Sequence, residues 1–136
     1  MIVGYGRIGK EVGRLAKAIG LKVIGVRKRP SPCPYADEVI SNRKLQNALG
    51  QADFILNVLP LTEETRGFFN NDIFCSIKNG AYLINTGRGH VIDECALLEA
   101  LRSGQLSGAT LDVFADEPLP SNNPLWTTKN VIITPH

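Results

Sequence analysis

The sequence lacks a long apolar run, a pairing pattern of cysteines and an excess of one charge. No apolar run approaches the roughly 18 residues that a membrane-spanning helix needs, and residues 1–20 lack the layout of a signal peptide. The 15 Lys and Arg residues nearly balance the 13 Asp and Glu residues, so the formal net charge is only +2. A nucleic-acid binder usually carries a broad basic face, which this balance does not provide. We therefore expect neither a membrane nor a nucleic acid as a partner.

The cysteines are too few and too scattered for a disulfide framework or a zinc site. Cys33, Cys75 and Cys95 are odd in number, and no pair has the C-x-x-C spacing. We accordingly expect no metal centre. Free cysteines of this kind are commonly small buried apolar residues in a reducing compartment. The sequence thus predicts three buried thiols and a location in the cytoplasm or another reducing compartment.

Short apolar runs alternate with segments of helical periodicity along the whole chain. With 136 residues the chain fits one domain. The alternation predicts an α/β fold of the Rossmann type, a doubly wound and mostly parallel sheet with helices on both faces. The predicted strands are residues 1–3, 22–26, 54–59, 81–84, 109–113 and 131–133, with a further short strand at 39–40. The predicted helices are residues 8–19, 43–49, 72–77 and 94–102. The first helix places its apolar residues on one face, namely Ile8, Val12, Leu15, Ala16 and Ile19.

A glycine-rich turn follows the first predicted strand and opens the first predicted helix. Gly4, Gly6 and Gly9 form a G-x-G-x-x-G sequence, in which the first glycine permits a tight turn. The second glycine lets the backbone approach a pyrophosphate, and the third lets the helix pack close to the strand. Because a helix N-terminus offers free N–H groups and a positive dipole end, the pattern predicts a dinucleotide site. The alternative is that the glycines serve only a tight turn between strand and helix.

Three cations stand where such sites often carry an acid. An NAD-binding unit usually has an acidic residue roughly 20 positions after the turn, where it bonds the ribose 2′-hydroxyl. Here Arg27, Lys28 and Arg29 occupy that place, and an arginine fork suits the 2′-phosphate of NADP(H). We therefore predict that NADP(H) is favoured over NAD(H). The alternative is that these cations only begin a solvated loop, since Pro30-Ser31-Pro32 follows at once.

Polar residues follow the predicted strands in the second half of the chain. They are Arg88 within Asn-Thr-Gly-Arg-Gly, Asp112 within Leu-Asp-Val-Phe, Glu117 within Glu-Pro-Leu-Pro, and His136 at the end of Ile-Ile-Thr-Pro-His. In an open parallel sheet, ligands gather at the carboxyl ends of the strands. We therefore expect these four side chains to converge with the glycine turn in one crevice.

Five blocks in this order resemble the D-isomer-specific 2-hydroxyacid dehydrogenases, specifically their nucleotide-binding domain. The blocks are GYGRIG, LPLTEETRG, NTGRGHVIDE, LDVFADEPLP and IITPH, and they extend from Gly4 to His136. The resemblance implies an NAD(P)-binding Rossmann domain over residues 1–136. The first predicted strand has almost no residues before Gly4, and His136 follows a strand directly. We therefore expect a fragment of a two-domain enzyme, with the substrate domain absent from this chain.

The resemblance also implies a role for each matching position. Arg88 would bind the substrate carboxylate and polarise its keto oxygen. His136 would be the general acid or base, and Glu117 would hydrogen-bond the imidazole and favour its protonated form. A protonated imidazole can then donate to the oxygen on which negative charge grows. The other matches would border the cofactor: Arg7 and Ile8 the pyrophosphate, Leu59, Pro60 and Thr65 the adenosine side, Thr86 the nicotinamide ribose, and Asp112 the carboxamide.

The function implied by the resemblance is hydride transfer between nicotinamide and a small 2-keto or 2-hydroxy acid. Glu117 suits such acids, because formate dehydrogenases of this superfamily pair the histidine with a glutamine. The cation at Arg27 makes the chain more similar to NADPH-dependent glyoxylate or hydroxypyruvate reductases than to phosphoglycerate dehydrogenases. Two alternatives remain open: a catalytically inactive NAD(P)-binding fragment, and a corepressor-like module that senses nucleotide. Because the family tends to dimerise through this domain, we expect a homodimer of the full-length protein.

Overall fold

A computed structural model describes residues 1–136 and contains one seven-stranded sheet in which every neighbouring pair of strands is parallel. The strands are β1 (Ile2–Val3), β2 (Ile24–Val26), β3 (Glu38–Ile40), β4 (Phe54–Asn57), β5 (Ala81–Asn85), β6 (Leu106–Leu111) and β7 (Val131–Ile133). They lie in the order β3-β2-β1-β4-β5-β6-β7. The predicted Rossmann-type fold is confirmed, including the short extra strand β3.

Helices lie on both faces of this sheet. They are α1 (Arg7–Ala18), α2 (Leu45–Leu49), α3 (Asn71–Ser76) and α4 (Glu94–Arg102), with single 3₁₀ turns at Asn42–Lys44, Gly89–Val91 and Pro124–Thr127. The start of α4 is capped by Asp93, whose carboxylate accepts the N–H of Ala96 at 3.1 Å. Its end is followed by Gly104 at φ +79°. A helix of sufficient length and apolarity to span a bilayer is not found.

The strand order changes direction between β1 and β4, and this reversal determines where the candidate site lies in the sheet. The chain runs from β1 outward to β3 and then returns to the other side of β1. At such a reversal the loops after two neighbouring strands diverge and leave a crevice at the carboxyl ends. Val3 pairs with Val26 on one side and with Asn57 on the other, and Asn85 pairs with Asn57 and Leu111. The loops that follow these strands therefore leave from the same end of the sheet.

One face of the sheet is buried beneath α2, α3 and α4. Ile55, Leu83 and Leu111 are at most 2% exposed and belong to the same buried cluster as Leu49 and Phe74. Full burial of one such side chain stabilises the fold by about 1.5–3 kcal/mol. Because the larger of the two buried clusters lies here, this layer anchors the strands whose ends carry the candidate site.

The opposite face carries α1, which approaches the sheet through glycine. Gly9 and Gly13 are the buried residues of this helix. A Cβ on Gly13 would lie 2.6 Å from the hydroxyl oxygen of Tyr5, and one on Gly25 would lie 2.5 Å from the Tyr5 ring. The fully buried Tyr5 therefore fills the space that glycines in α1 and β2 leave free.

Much of this second face is open. Phe54 and Ile132 are each 55% exposed, and a largely apolar groove of about 440 Å³ extends between α1 and strands β1 and β4. The predicted apolar face of α1 is likewise only partly buried, because Ile8, Leu15 and Ile19 are exposed. Contact through glycine brings the backbone of the helix to the sheet and turns these large side chains outward.

Several strand boundaries and the cysteines differ from the sequence-based expectation. β2 begins at Ile24 rather than at residue 22, and β4 ends at Asn57 rather than at residue 59. β6 begins at Leu106, three positions before the predicted start at residue 109. The prediction of three buried thiols is wrong, since Cys75 and Cys95 are exposed and Cys33 is only partly buried. Cys75 and Cys95 lie on short helices whose other side faces the core, where Phe74 packs.

Candidate active site

The glycine turn combines a backbone conformation that favours glycine with two close contacts. Gly4 has φ +97°, which L side chains rarely adopt, and a Cβ there would lie 2.9 Å from the backbone nitrogen of Leu59. A Cβ on Gly9 would lie 2.9 Å from the carbonyl oxygen of Gly4. At Gly6, the N-cap of α1, a Cβ would meet nothing closer than 3.8 Å. Gly4 thus packs against the backbone that follows β4, and Gly9 lets the start of α1 pack against Gly4, while the Gly6 side stays open to an approaching group.

The first turn of α1 fits a pyrophosphate. The N–H groups of Arg7, Ile8 and Gly9 donate no backbone hydrogen bond within the chain, and Arg7 and Ile8 are exposed. Unpaired N–H groups at the positive end of a helix favour phosphate oxygens. The same turn contains no acidic residue that would repel an anion. The residues present are therefore suited to the phosphates of a dinucleotide.

The three predicted cations lie just beyond β2. Lys28 and Arg29 are exposed, and Arg27 is partly buried. Arg27 Nη1 donates a long hydrogen bond of 3.4 Å to Ser31 Oγ. Lys28 Nζ contacts both carboxylate oxygens of Glu64 at 2.9 Å. Three cations with a single acidic partner leave a net positive charge that attracts a phosphate.

The loop after β4 is held in shape by Thr65. The Thr65 hydroxyl donates to the carbonyl oxygen of Pro60 at 2.6 Å and accepts the N–H of Thr62 at 2.8 Å. Leu59 is buried and Pro60 is exposed. The hydroxyl of Thr65 is therefore engaged within its own loop, while residues 60–64 of this loop are exposed.

Two buried amides join this loop to the next one, and sequence reasoning missed them. Asn57 and Asn85 end β4 and β5 and are 0% and 1% exposed. Asn57 Nδ2 donates to Asn85 Oδ1 at 2.8 Å, and the same oxygen accepts the N–H of Gly87 at 3.2 Å. Asn57 Oδ1 accepts the N–H of Leu59 at 3.1 Å. The pair thus fixes the first residues of both loops, and an asparagine at the end of each of two apolar strands was the available signal.

Arg88 lies in a loop that is wedged between its neighbours. A Cβ on Gly87 would lie 2.7 Å from the carbonyl oxygen of Leu59, and one on Gly89 would overlap the backbone of Phe114. Arg88 Nη1 donates to the carbonyl oxygen of Gly87 at 2.7 Å. Arg88 is exposed, as is Thr86. The loop is therefore packed tightly on the inside and presents its arginine on the outside.

Glu117 and His136 are in direct contact. Glu117 Oε2 lies 2.8 Å from His136 Nδ1, and Glu117 Oε1 accepts the N–H of Phe114 at 2.9 Å. The pKa of Glu117 is held below its ordinary 4.5, first by the hydrogen bond from His136 and then by that from Phe114, with the positive charge of Arg88 adding to the effect. The carboxylate is therefore charged near neutral pH and occupies the Nδ1 side of the imidazole, while Nε2 makes no hydrogen bond.

Asp112 connects the end of β6 to the segment that leads to the histidine. Its carboxylate accepts the Thr134 hydroxyl at 2.5 Å. Its own N–H donates to the carbonyl oxygen of Asn85, and the N–H of Thr134 donates to that of Leu111, both at 3.0 Å. These bonds hold the last residues of the chain beside the loops after β5 and β6.

The predicted residues form two groups at the same end of the sheet. The glycine turn, the cations and the Pro60 loop surround the ends of β1, β2 and β4, while Arg88, Asp112, Glu117 and His136 follow β5, β6 and β7. No group of three or more His, Cys, Asp or Glu side chains could hold a metal ion. A guanidinium beside a carboxylate–imidazole pair can bind an anionic substrate and exchange a proton with its oxygen.

Comparison with known proteins points to one family. The family pattern described as D-isomer specific 2-hydroxyacid dehydrogenase, NAD binding domain, matches residues 1–136. A putative 2-hydroxyacid dehydrogenase of Haemophilus influenzae is 44% identical, and a hydroxypyruvate reductase of Blautia hydrogenotrophica is 40% identical. Both alignments cover 99% of this chain but only 43% and 42% of the relatives.

Two solved structures have the same fold. A phosphoglycerate dehydrogenase from Lactobacillus plantarum superposes with a TM-score of 0.95 at 43% identity. A D-isomer specific 2-hydroxyacid dehydrogenase from Xanthobacter autotrophicus Py2, in complex with NADPH and MES, superposes with a TM-score of 0.95 at 38% identity. The superpositions cover 99% of this chain and 44% and 43% of the solved chains, so it spans less than half of their length. Because the family pattern matches from the first residue to the last, the chain belongs to the D-isomer specific 2-hydroxyacid dehydrogenases and corresponds to their NAD-binding domain.

Proposed function

We propose that this chain is the nucleotide-binding part of an oxidoreductase that transfers hydride between NADP(H) and a small 2-keto or 2-hydroxy acid of the glyoxylate or hydroxypyruvate type. The observation that carries the proposal is the 2.8 Å contact between Glu117 and His136, with the charge of Arg88 close enough to act on the same carboxylate. The hydroxypyruvate reductase among the relatives supports the substrate class.

The chain's own residues would bind the substrate and supply the proton. Arg88 is exposed and offers a fork of donors to a planar carboxylate, and charge-assisted bonds of this kind contribute roughly 1.5–3 kcal/mol. As an imidazolium, His136 would donate its Nε2 proton to the keto oxygen and keep its Nδ1–H directed at Glu117. The bound nicotinamide would supply the hydride. The rate gain expected from such a positioned acid is about 10²–10⁴-fold.

The preference for NADP(H) follows from the charges beyond β2. Arg27, Lys28 and Arg29 stand where an acid would otherwise bond the ribose 2′-hydroxyl. Ser31, which Arg27 contacts, adds a hydroxyl to this group. A 2′-phosphate carries about two negative charges and suits such a set of donors. The NADPH complex of the Xanthobacter protein is consistent with this choice.

We also propose that a substrate domain accompanies residues 1–136 in the complete protein. The chain spans 43% of the Haemophilus relative, and its open sheet face offers an apolar surface for further helices. A homodimer is proposed as well, with the segment Pro118–Trp126 contributing, since the Trp126 side chain is 51% exposed. Light scattering of the complete gene product tests the dimer. The three free cysteines are compatible with the cytoplasm or another reducing compartment.

The decisive experiment is an assay of cofactor oxidation by the complete gene product. Glyoxylate, hydroxypyruvate and pyruvate are each offered with NADPH and NADH. We expect turnover of glyoxylate or hydroxypyruvate and a higher kcat/KM with NADPH. Turnover of none of the acids, together with retained nucleotide binding, would instead favour a nucleotide-sensing module.

The role of Arg88 can be tested separately from folding. Arg88→Ala should lower kcat/KM for the keto acid by about 10- to 100-fold, the equivalent of one charge-assisted bond. The affinity for cofactor should change little, because no bond to the glycine turn is lost. Arg43→Ala is a matched control, since Arg43 is exposed and makes no side-chain hydrogen bond or ion pair. An Arg88→Ala variant with the normal rate would remove the assigned role.

A further inference from the structure

An ion pair joins the two loops on either side of the glycine turn. Lys28 follows β2 and Glu64 lies in the loop after β4, and β1 lies between these strands in the sheet. Both carboxylate oxygens of Glu64 lie 2.9 Å from Lys28 Nζ. Neither Arg27 nor Arg29 has an acidic partner. Of the three cations beyond β2, only Lys28 is therefore neutralised within the chain.

We propose that Glu64 is a specificity-determining residue that competes with the 2′-phosphate of NADP(H) for Lys28. This inference rests on the proposed use of NADP(H). In the free protein Glu64 takes the charge that the phosphate needs, and it thereby lowers the affinity for NADP(H) without affecting NAD(H). The native preference is then a balance between three cations that attract the phosphate and one acid that opposes it.

The exposure of the pair makes this exchange easy. The side chains of Lys28 and Glu64 are 74% and 73% exposed, and ion pairs in water are weak and readily replaced. A phosphate offers more oxygens and more charge than a carboxylate. It is therefore the stronger partner for Lys28 once the rest of the dinucleotide is anchored at the glycine turn.

Glu64 continues to act after the exchange, through repulsion. If Lys28 Nζ stays in place, two bonds of about 2.9 Å put the phosphate oxygens within about 6 Å of the carboxylate. At that separation two like-charged groups repel appreciably even in water, and salt near 0.15 M reduces the effect by about half. Removal of the charge at Glu64 should therefore strengthen NADPH binding by about three- to tenfold.

The test is calorimetric titration of the purified protein with NADPH and with NADH. Glu64→Gln should lower the Kd for NADPH by about three- to tenfold and leave the Kd for NADH within about twofold. The control is Glu63→Gln, which removes the same charge from the neighbouring position. The side chain of Glu63 makes no ion pair or hydrogen bond, whereas that of Glu64 contacts Lys28. The change in log Kd for NADPH should be less than half as large in Glu63→Gln as in Glu64→Gln.

A third variant separates this inference from the cofactor proposal. Lys28→Gln should weaken NADPH binding selectively if the cations hold the 2′-phosphate, whatever the role of Glu64. A selective loss in Lys28→Gln with no gain in Glu64→Gln would overturn the competition while the cofactor preference stands. If the native protein binds NADPH and NADH with the same Kd, and Lys28→Gln does so too, the cofactor preference is overturned instead. Weaker NADPH binding in Glu64→Gln would also overturn the inference, because it would mean that Glu64 prepares Lys28 for the phosphate.

Discussion

Asn85→Ala should be among the most damaging single truncations at the end of the sheet. Asn85 Oδ1 accepts two hydrogen bonds, from Asn57 Nδ2 and from the N–H of Gly87. Both amides are essentially inaccessible to water, at 0% and 1% exposure. The truncation therefore leaves two buried donors without an acceptor, and each costs about 1–3 kcal/mol. We expect a loss of about 2–6 kcal/mol in the free energy of unfolding.

Asn57→Ala should cost less, and the two losses should not add. This variant orphans the N–H of Leu59, while Asn85 keeps its bond from Gly87. In the double variant the orphaned amide of Asn57 no longer exists, so the loss should fall short of the sum by about 1–2 kcal/mol. Urea denaturation measures all three variants. Asn47→Ala, at an exposed position in α2, is the control and should stay within about 0.5 kcal/mol. Additive losses, or a loss below about 0.5 kcal/mol for Asn85→Ala, would refute the reasoning.

Two further outcomes can be measured. Gly9→Ala should destabilise the protein by about 1–3 kcal/mol and weaken nucleotide binding, because its Cβ would lie 2.9 Å from the Gly4 carbonyl oxygen. Gly50→Ala, where the nearest atom is 4.0 Å away, should be nearly neutral in the same thermal melts. The Glu117 pKa is depressed in the folded state, so its contribution to stability is present above the ordinary value of 4.5 and is lost as the pH falls through the lower folded pKa. Glu117→Gln should therefore lower the melting temperature near neutral pH, and the difference from the native protein should close below about pH 4.5; a constant difference would contradict the sign of the linkage.

Local sequence patterns were sufficient to predict most of the fold and to select the candidate site residues. Short apolar runs located every strand, and Arg88, Glu117 and His136 follow strands in the order in which parallel topology gathers them. The partners within the site were not predictable in the same way. Lys28 and Glu64 are 36 positions apart, and only the order of strands brings their loops to the two sides of β1.

The packing of α1 shows a different limit. Its periodicity predicted one apolar face, yet Ile8 and Ile19 are exposed and Gly13 is buried. Periodicity gives weight to large side chains, whereas close approach depends on the absence of a side chain. Here the ring of Tyr5 lies beneath the helix and leaves no room for a Cβ on Gly13. A glycine in the middle of a helix was the sign of this contact.

The interlocked backbones after β5 and β6 bear on how a substrate would be enclosed. Gly89 touches the backbone at Phe114, and Phe114 in turn donates its N–H to Glu117. The backbone of the Arg88 loop is thus packed against the segment that leads to Glu117, and we expect the two loops to move together. If the proposed substrate domain lies across the cleft, a closing movement would therefore be expected from that domain rather than from these two loops.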